Sequence, residues 1–136
     1  MFGRSHKNTI DSLIGASTRI EGNIHFTGGL RIDGHITGNV IGDPGETNML
    51  VISEQAKIEG EVRGAHLVVN GEIIGPVHST ELLELQPKAR IRGDVSYKTL
   101  EMHGGALVAG KLTHGQNELA NGEPVLKLAA SSGSKS

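Results

Sequence analysis

The sequence predicts an all-β fold, a parallel β-solenoid (β-helix) of about six coils with separate N- and C-terminal tails. Three observations carry this expectation. A short motif recurs six times, its apolar residues alternate with polar ones, and the chain is rich in Gly and aliphatic side chains but has only 2% aromatics. The motif reads aliphatic, any, Gly, any, aliphatic. Its copies are Ile20-Glu21-Gly22-Asn23-Ile24, Ile36-Thr37-Gly38-Asn39-Val40, Ile58-Glu59-Gly60-Glu61-Val62, Ile73-Ile74-Gly75-Pro76-Val77, Ile91-Arg92-Gly93-Asp94-Val95 and Val108-Ala109-Gly110-Lys111-Leu112.

Upstream of each copy stands a Leu, in order Leu13, Leu30, Leu50, Leu67, Leu83 and Leu100. Two positions later come Gly15, Ile32, Ile52, Val69, Leu85 and Met102. Four aligned columns result, in which only Gly15 breaks the apolar rule. Polar residues such as Arg31, Asp33, Glu59, Glu61, Arg92 and Asp94 fall between them, which is the period of a strand and not of a helix. Successive Leu are 17, 20, 17, 16 and 17 residues apart. The long interval carries Gly42-Asp43-Pro44-Gly45-Glu46-Thr47-Asn48, a turn-rich run expected to bulge from one corner. A unit of about 17 residues cannot bury its own apolar face, but stacked units can. Six parallel coils rise roughly 29 Å at about 4.8 Å each. The Gly at each motif centre bends the chain at a corner or admits close backbone approach. Gly34, Gly71, Pro87 and Gly104, four residues after a Leu, mark a second corner.

Composition excludes much else. The 136 residues carry 13 Lys+Arg and 15 Asp+Glu, and a net charge of -2 gives no general attraction to nucleic acid. The absence of Cys removes disulfides, thiolate metal sites and a Cys nucleophile, and it fits a reducing cytoplasm. No apolar run approaches the roughly 20 residues of a spanning helix, and the N-terminus turns polar where a signal peptide would place its apolar core. The glycines are not spaced as a phosphate-cradling loop, so no nucleotide or other cofactor is expected. Seven His invite a metal reading. Counted from each coil's Leu, however, His25, His35, His66, His78, His103 and His114 occupy different columns, and no metal site is expected. Glu59/Glu61 and Glu81/Glu84 read as solvated charge, so no catalytic residue is expected and the chain is not read as an enzyme.

Two features point to assembly. Each end of a solenoid is a sheet edge over an exposed aliphatic core, and no amphipathic capping helix precedes Leu13. Such ends should stack on other copies through contacts approaching about 800 Å² per partner. Met1, Phe2 and Arg4, with Lys7 close behind, look like a short peripheral membrane anchor, an apolar side chain beside cations. One copy would hold poorly, whereas an array would hold through multivalency.

These residues together resemble the bactofilins, a polymer-forming family of the bacterial cytoskeleton. The resemblance rests on the stacked I-x-G-x-V coils, the Cys-free chain, the small polar flanks and the Met-Phe-x-basic start. It implies a right-handed triangular β-helix that joins end to end, like end to like end, into nucleotide-independent filaments. It also implies a scaffold at the inner face of the cell membrane that positions cell-envelope or morphogenesis proteins and so contributes to cell shape. Carried onto this chain, residues 1–11 form the N-terminal tail with the membrane-binding Met1, Phe2, Arg4 and Lys7. Residues 12–114 form the polymerisation domain, and 115–136 a flexible C-terminal tail. The joints fall on Leu13, Ile20 and Ile24 at one end and on Leu100, Met102, Val108 and Leu112 at the other. One departure stands out: the last coils lack the Phe common near that end in the family.

A left-handed hexapeptide acyltransferase is the enzymatic alternative, since Ile14, Ile20, Phe26 and Ile32 fall six apart. That run stops at Gly38, and coils of 16 to 17 residues differ from a strict 18. A non-polymerising solenoid adaptor is the third reading.

Overall fold

The structure, a computed structural model, describes residues 9–115. Sixteen short strands wind as six successive coils of a parallel solenoid with three faces. The first face stacks β1 (Ser12–Ile14), β4 (Gly28–Ile32), β7 (Asn48–Ile52), the second half of β9 (Val62–Val69), the second half of β11 (Val77–Leu85) and β14 (Thr99–Met102). The second stacks β2 (Arg19–Glu21), β5 (His35–Thr37), β8 (Lys57–Glu59), β10 (Glu72–Ile74), β12 (Arg90–Arg92) and β15 (Leu107–Ala109). The third stacks β3 (Ile24–Phe26), β6 (Val40–Gly42), the starts of β9 and β11, β13 (Val95–Tyr97) and β16 (Leu112–His114). Every pairing is parallel, as a chain returning above its own start requires.

The predicted columns are the core. Ile36, Ile58, Ile73 and Ile91 lie in register on the second face, and Val40, Val62, Val77 and Val95 on the third, all buried. Leu30, Leu50, Leu67 and Leu83 line the first face beside Ile32, Ile52, Val69 and Leu85. Each aliphatic side chain packs on its counterparts one coil before and after, so burial is cooperative along the stack.

One expectation is corrected. Leu13 does not belong to the Leu column: it pairs with Arg31, and Ser12 is the partner of Leu30. Ile14, not Gly15, continues the column of Ile32. Because side chains alternate with period 2, a shift of one residue turns every side chain to the other face. Leu13 therefore points outward and is 61% exposed. The Gly15 anomaly disappears with the same shift.

The motif glycines form the corner between the second and third faces. Gly22, Gly38, Gly60, Gly75 and Gly93 have φ between 139° and 156°, a region L side chains rarely enter. In Gly38, Gly60, Gly75, Gly93 and Gly110 an added Cβ would sit 2.1–2.3 Å from the carbonyl oxygen of the Gly one coil earlier. Only Gly lets these backbones stack. Asn side chains complete the corner: Asn23 Oδ1 accepts from Asn39 N–H at 2.9 Å, and Asn39 Oδ1 from Glu61 N–H at 2.9 Å. At the corner between the first and second faces a tight turn closes on Ala56, Ala89 and Ala106 in coils 3, 5 and 6, through bonds such as Ala56 N–H to Ser53 C=O at 3.0 Å. Coils 2 and 4 turn there on Gly34 and Gly71 instead. The bulge predicted over residues 42–48 narrows to the exposed residues 43–47, since Gly42 ends β6 and buried Asn48 begins β7 and pins the loop. Its Nδ2 donates to the carbonyls of Asp43 and Glu46, and its Oδ1 accepts from Ala65 N–H at 2.7 Å.

Candidate assembly ends

The residues expected to make the joints fall at the two ends of the described stack. In the middle, Ile32, Ile36 and Val40 are 0% exposed. Their counterparts one coil earlier, Ile14, Ile20 and Ile24, are only partly buried because no described coil lies beneath them. Ile10 and Leu13 are exposed nearby. At the other end the columns finish in Leu100 and Val108, partly buried, and in Met102 and Leu112, 44% and 42% exposed. The predicted residues Leu13, Ile20, Ile24, Leu100, Met102, Val108 and Leu112 thus divide between the two ends. Six of them finish a core column, whereas Leu13 lies on the outer surface.

Leu107 escaped the sequence reading. It pairs with Arg90, whose column runs Arg19, His35, Lys57, Glu72 and Arg90, outward on the second face. At coil 6 that column turns apolar, and Leu107 is 61% exposed. The signal was available: Leu107-Val108-Ala109 is the one motif strand in which both residues flanking the core position are apolar.

The ends also interrupt a hydrogen-bond pattern. Along the Gly corner each coil donates forward: Gly38 N–H to Glu59 C=O at 3.0 Å, Gly93 N–H to Ala109 C=O at 3.0 Å, and Val95 N–H to Lys111 C=O at 2.7 Å. Gly110 and Leu112 occupy the same donor positions with no described coil above them. Gly22 shows the opposite edge, since a Cβ there would meet nothing within 4 Å. Unpaired strand edges around an apolar centre are templates for pairing with another chain.

The membrane-binding candidates Met1, Phe2, Arg4 and Lys7 lie outside the described residues. Among the described residues no helix is long and apolar enough to cross a membrane. Of the carboxylates read as surface charge, Glu59 and Glu61 pair with cations, as Asp33 does. Arg31 bonds Asp33 at 2.8 Å and holds its carboxyl below the usual range. Glu59 lies 3.2 Å from His35 and 3.5 Å from Lys57, and chiefly the His35 bond lowers its pKa. Glu61 bonds Arg63. The column count for His missed one convergence, because a residue from an intermediate coil makes it: His66 and His103 approach opposite oxygens of Glu84, at 4.0 and 3.8 Å.

Comparison with known proteins agrees with the geometry. No curated protein and no solved structure matches the chain. The profile of one family, Bactofilin, described as polymer-forming cytoskeletal, matches residues 12–113. That span runs from the first strand of the stack into the last, so the match covers the whole solenoid, and the chain belongs to the bactofilin family of polymer-forming cytoskeletal proteins.

Proposed function

We propose that this chain is a structural scaffold, not an enzyme, that assembles end to end into filaments without nucleotide. The observation that carries the reading is the pair of ends, where among the described residues core columns continuous through the stack stop with their last side chains partly exposed. Stacking a second copy on each end restores the environment of the middle coils. Burying an exposed Leu in this way is worth about 1.5–3 kcal/mol, and several such residues at each end offset the entropy of association. The varied pitch, with 16 residues from Ile20 to Ile36 and 22 from Ile36 to Ile58, gives a hexapeptide acyltransferase no support.

The reading extends to the inner face of the bacterial membrane and to positioning of envelope or morphogenesis proteins. Phe2 supplies apolar area, and Arg4 and Lys7 supply attraction to anionic headgroups at about 1 kcal/mol each near the surface. One anchor of this kind is weak, and a filament presents many.

Negative-stain electron microscopy of the purified chain in plain buffer tests the assembly reading. Long thin filaments are expected, and discrete monodisperse particles would favour a non-polymerising adaptor. Leu112→Glu should abolish the filaments while the β-sheet circular dichroism persists; filaments of unchanged length would exclude this end from the joint. Deleting residues 1–7 should release filaments from anionic liposomes in a pelleting assay without disassembling them. Continued co-pelleting would remove the anchor from the account.

A further inference from the structure

The solenoid brings together a side-chain cluster that neither assembly nor anchoring uses. Glu84 and Glu101 are register partners on adjacent strands of the first face. They project outward because the flanking Leu83 and Leu85, and Leu100 and Met102, occupy the core columns. His103 follows at the start of the corner, with Nε2 3.8 Å from Glu84 Oε2 and 3.8 Å from Glu101 Oε2. The donor atoms of these three residues lie within 4.8 Å of one another. His66, one coil earlier, brings Nε2 to 4.0 Å from Glu84 Oε1. That nitrogen is sealed from solvent and has no hydrogen-bond partner.

The charge balance here differs from that around five other carboxylates of the surface. Asp33, Glu54, Glu59, Glu61 and Glu72 each face a Lys or Arg. Among the described residues, Glu84 and Glu101 pair with neither, although like charges directly opposite across a ladder destabilise it. Gln86 Nε2 bonds Glu84 Oε2 and supplies no charge. Two stacked carboxylates flanked by imidazoles call for a cation.

We propose that Glu84, Glu101 and His103 bind a divalent transition-metal ion of the zinc class, with water completing the shell and His66 standing behind Glu84 on the coil before. Imidazole nitrogen and carboxylate oxygen together suit Zn²⁺, and two carboxylates neutralise its charge. Tetrahedral zinc with bonds of about 2.0–2.1 Å holds its donors about 3.3 Å apart. Closing the 3.8 Å separations therefore takes about half an ångström of side-chain rotation, and the widest separation within the 4.8 Å group at most about 1.5 Å. The ion clasps coils 5 and 6 and ties the last described coil to the one before it.

Titration of the untagged full-length chain with Zn²⁺ by calorimetry, and with Co²⁺ by visible absorption, tests the site. One ion per chain is expected, with a thermal midpoint that rises with free Zn²⁺. Glu84→Gln and His103→Ala should each weaken binding at least about tenfold, the loss expected for one ligand at about 1.4 kcal/mol per decade. His66→Ala should also weaken it, and His25→Ala should leave it unchanged. His103 is exposed, so its variant should fold, and circular dichroism in metal-free buffer verifies this. No saturable binding below millimolar Zn²⁺ would overturn the proposal. So would unchanged binding in both Glu84→Gln and His103→Ala, or an equal loss in His25→Ala.

Discussion

The middle and the ends of this solenoid are built from the same motif and do different things with it. In coils 3 and 4, Ile52, Ile58, Val62, Val69, Ile73 and Val77 are fully sealed between neighbours. In coils 1 and 6 the residues of the same columns keep one side open. Position in the stack, and not residue type, sets their burial: Ile20 and Ile36 are identical and in register, yet only Ile36 is fully covered. In a one-dimensional array each unit gains its stability from two interfaces, and a terminal unit has lost one of them. The residue types sealed in the interior are therefore left partly exposed at the described ends. The two ends also differ. The first places a polar Ser12 in the Leu column, whereas the last ends in Leu100 and Met102 and adds Leu107 on the outside.

The corner glycines draw this contrast most sharply. Gly60→Ala forces a non-Gly residue to φ 156° and drives its Cβ to 2.1 Å from the Gly38 carbonyl oxygen. It should cost at least about 3 kcal/mol or prevent folding. Gly22→Ala has φ 139° but nothing within 4 Å, and should cost only the backbone strain, about 1–3 kcal/mol. Urea denaturation of both variants, each in the Leu112→Glu background to keep the chain monomeric, measures the difference. Equal losses would mean that stacking contributes nothing at the corner.

Cavity variants should show a smaller gap of the same sign. Ile58→Ala removes a fully buried side chain and should cost about 2–5 kcal/mol. Val108→Ala, in the same column at the last coil, should cost under about 1.5 kcal/mol in the monomer. In filaments the Val108 variant should lose more, since the joint would bury the site. A Val108 loss that does not grow on assembly would separate this column from the joint.

The smallest effect belongs to the surface pair Arg31–Asp33, and it tests whether charge or packing holds the coils. The Arg31 bond lowers the Asp33 pKa in the folded state. A depressed folded pKa contributes stability above the unfolded value of about 3.9, and that contribution is lost as pH falls through the folded value. The pair is solvent-exposed, so Arg31→Ala should cost less than about 1 kcal/mol at pH 7. Thermal melts of the two proteins should converge as pH drops below about 4. A gap that stays constant with pH would assign the effect to the Arg31 stem packing beside Leu13.

The repeat was legible because its constraints are local and identical at every turn. Gly must stand where two backbones stack, and an aliphatic residue must stand where a column passes, so Ile36, Ile58, Ile73 and Ile91 announce themselves at the centre of the chain. Legibility failed at the edges. Coil 1 has one neighbour to hold its register, and the Leu at 13 mimicked a column that Ser12 and Ile14 occupy. Leu107 was missed because its role depends on the outer surface of a terminal coil, where no column rule applies.

Chain order and residue type by themselves determined the period, the parallel stacking, the Gly corners, the place of the bulge within 42–48 and the composition of the core, since each follows from what a parallel stack can bury. Tertiary structure alone decided the register of the first coil, the outward turn of Leu13 and Leu107, and the meeting of His66, Glu84, Glu101 and His103. Those residues lie up to 37 positions apart, on three different coils. What brings them together is the rise of one coil onto the next, which no spacing along the chain expresses.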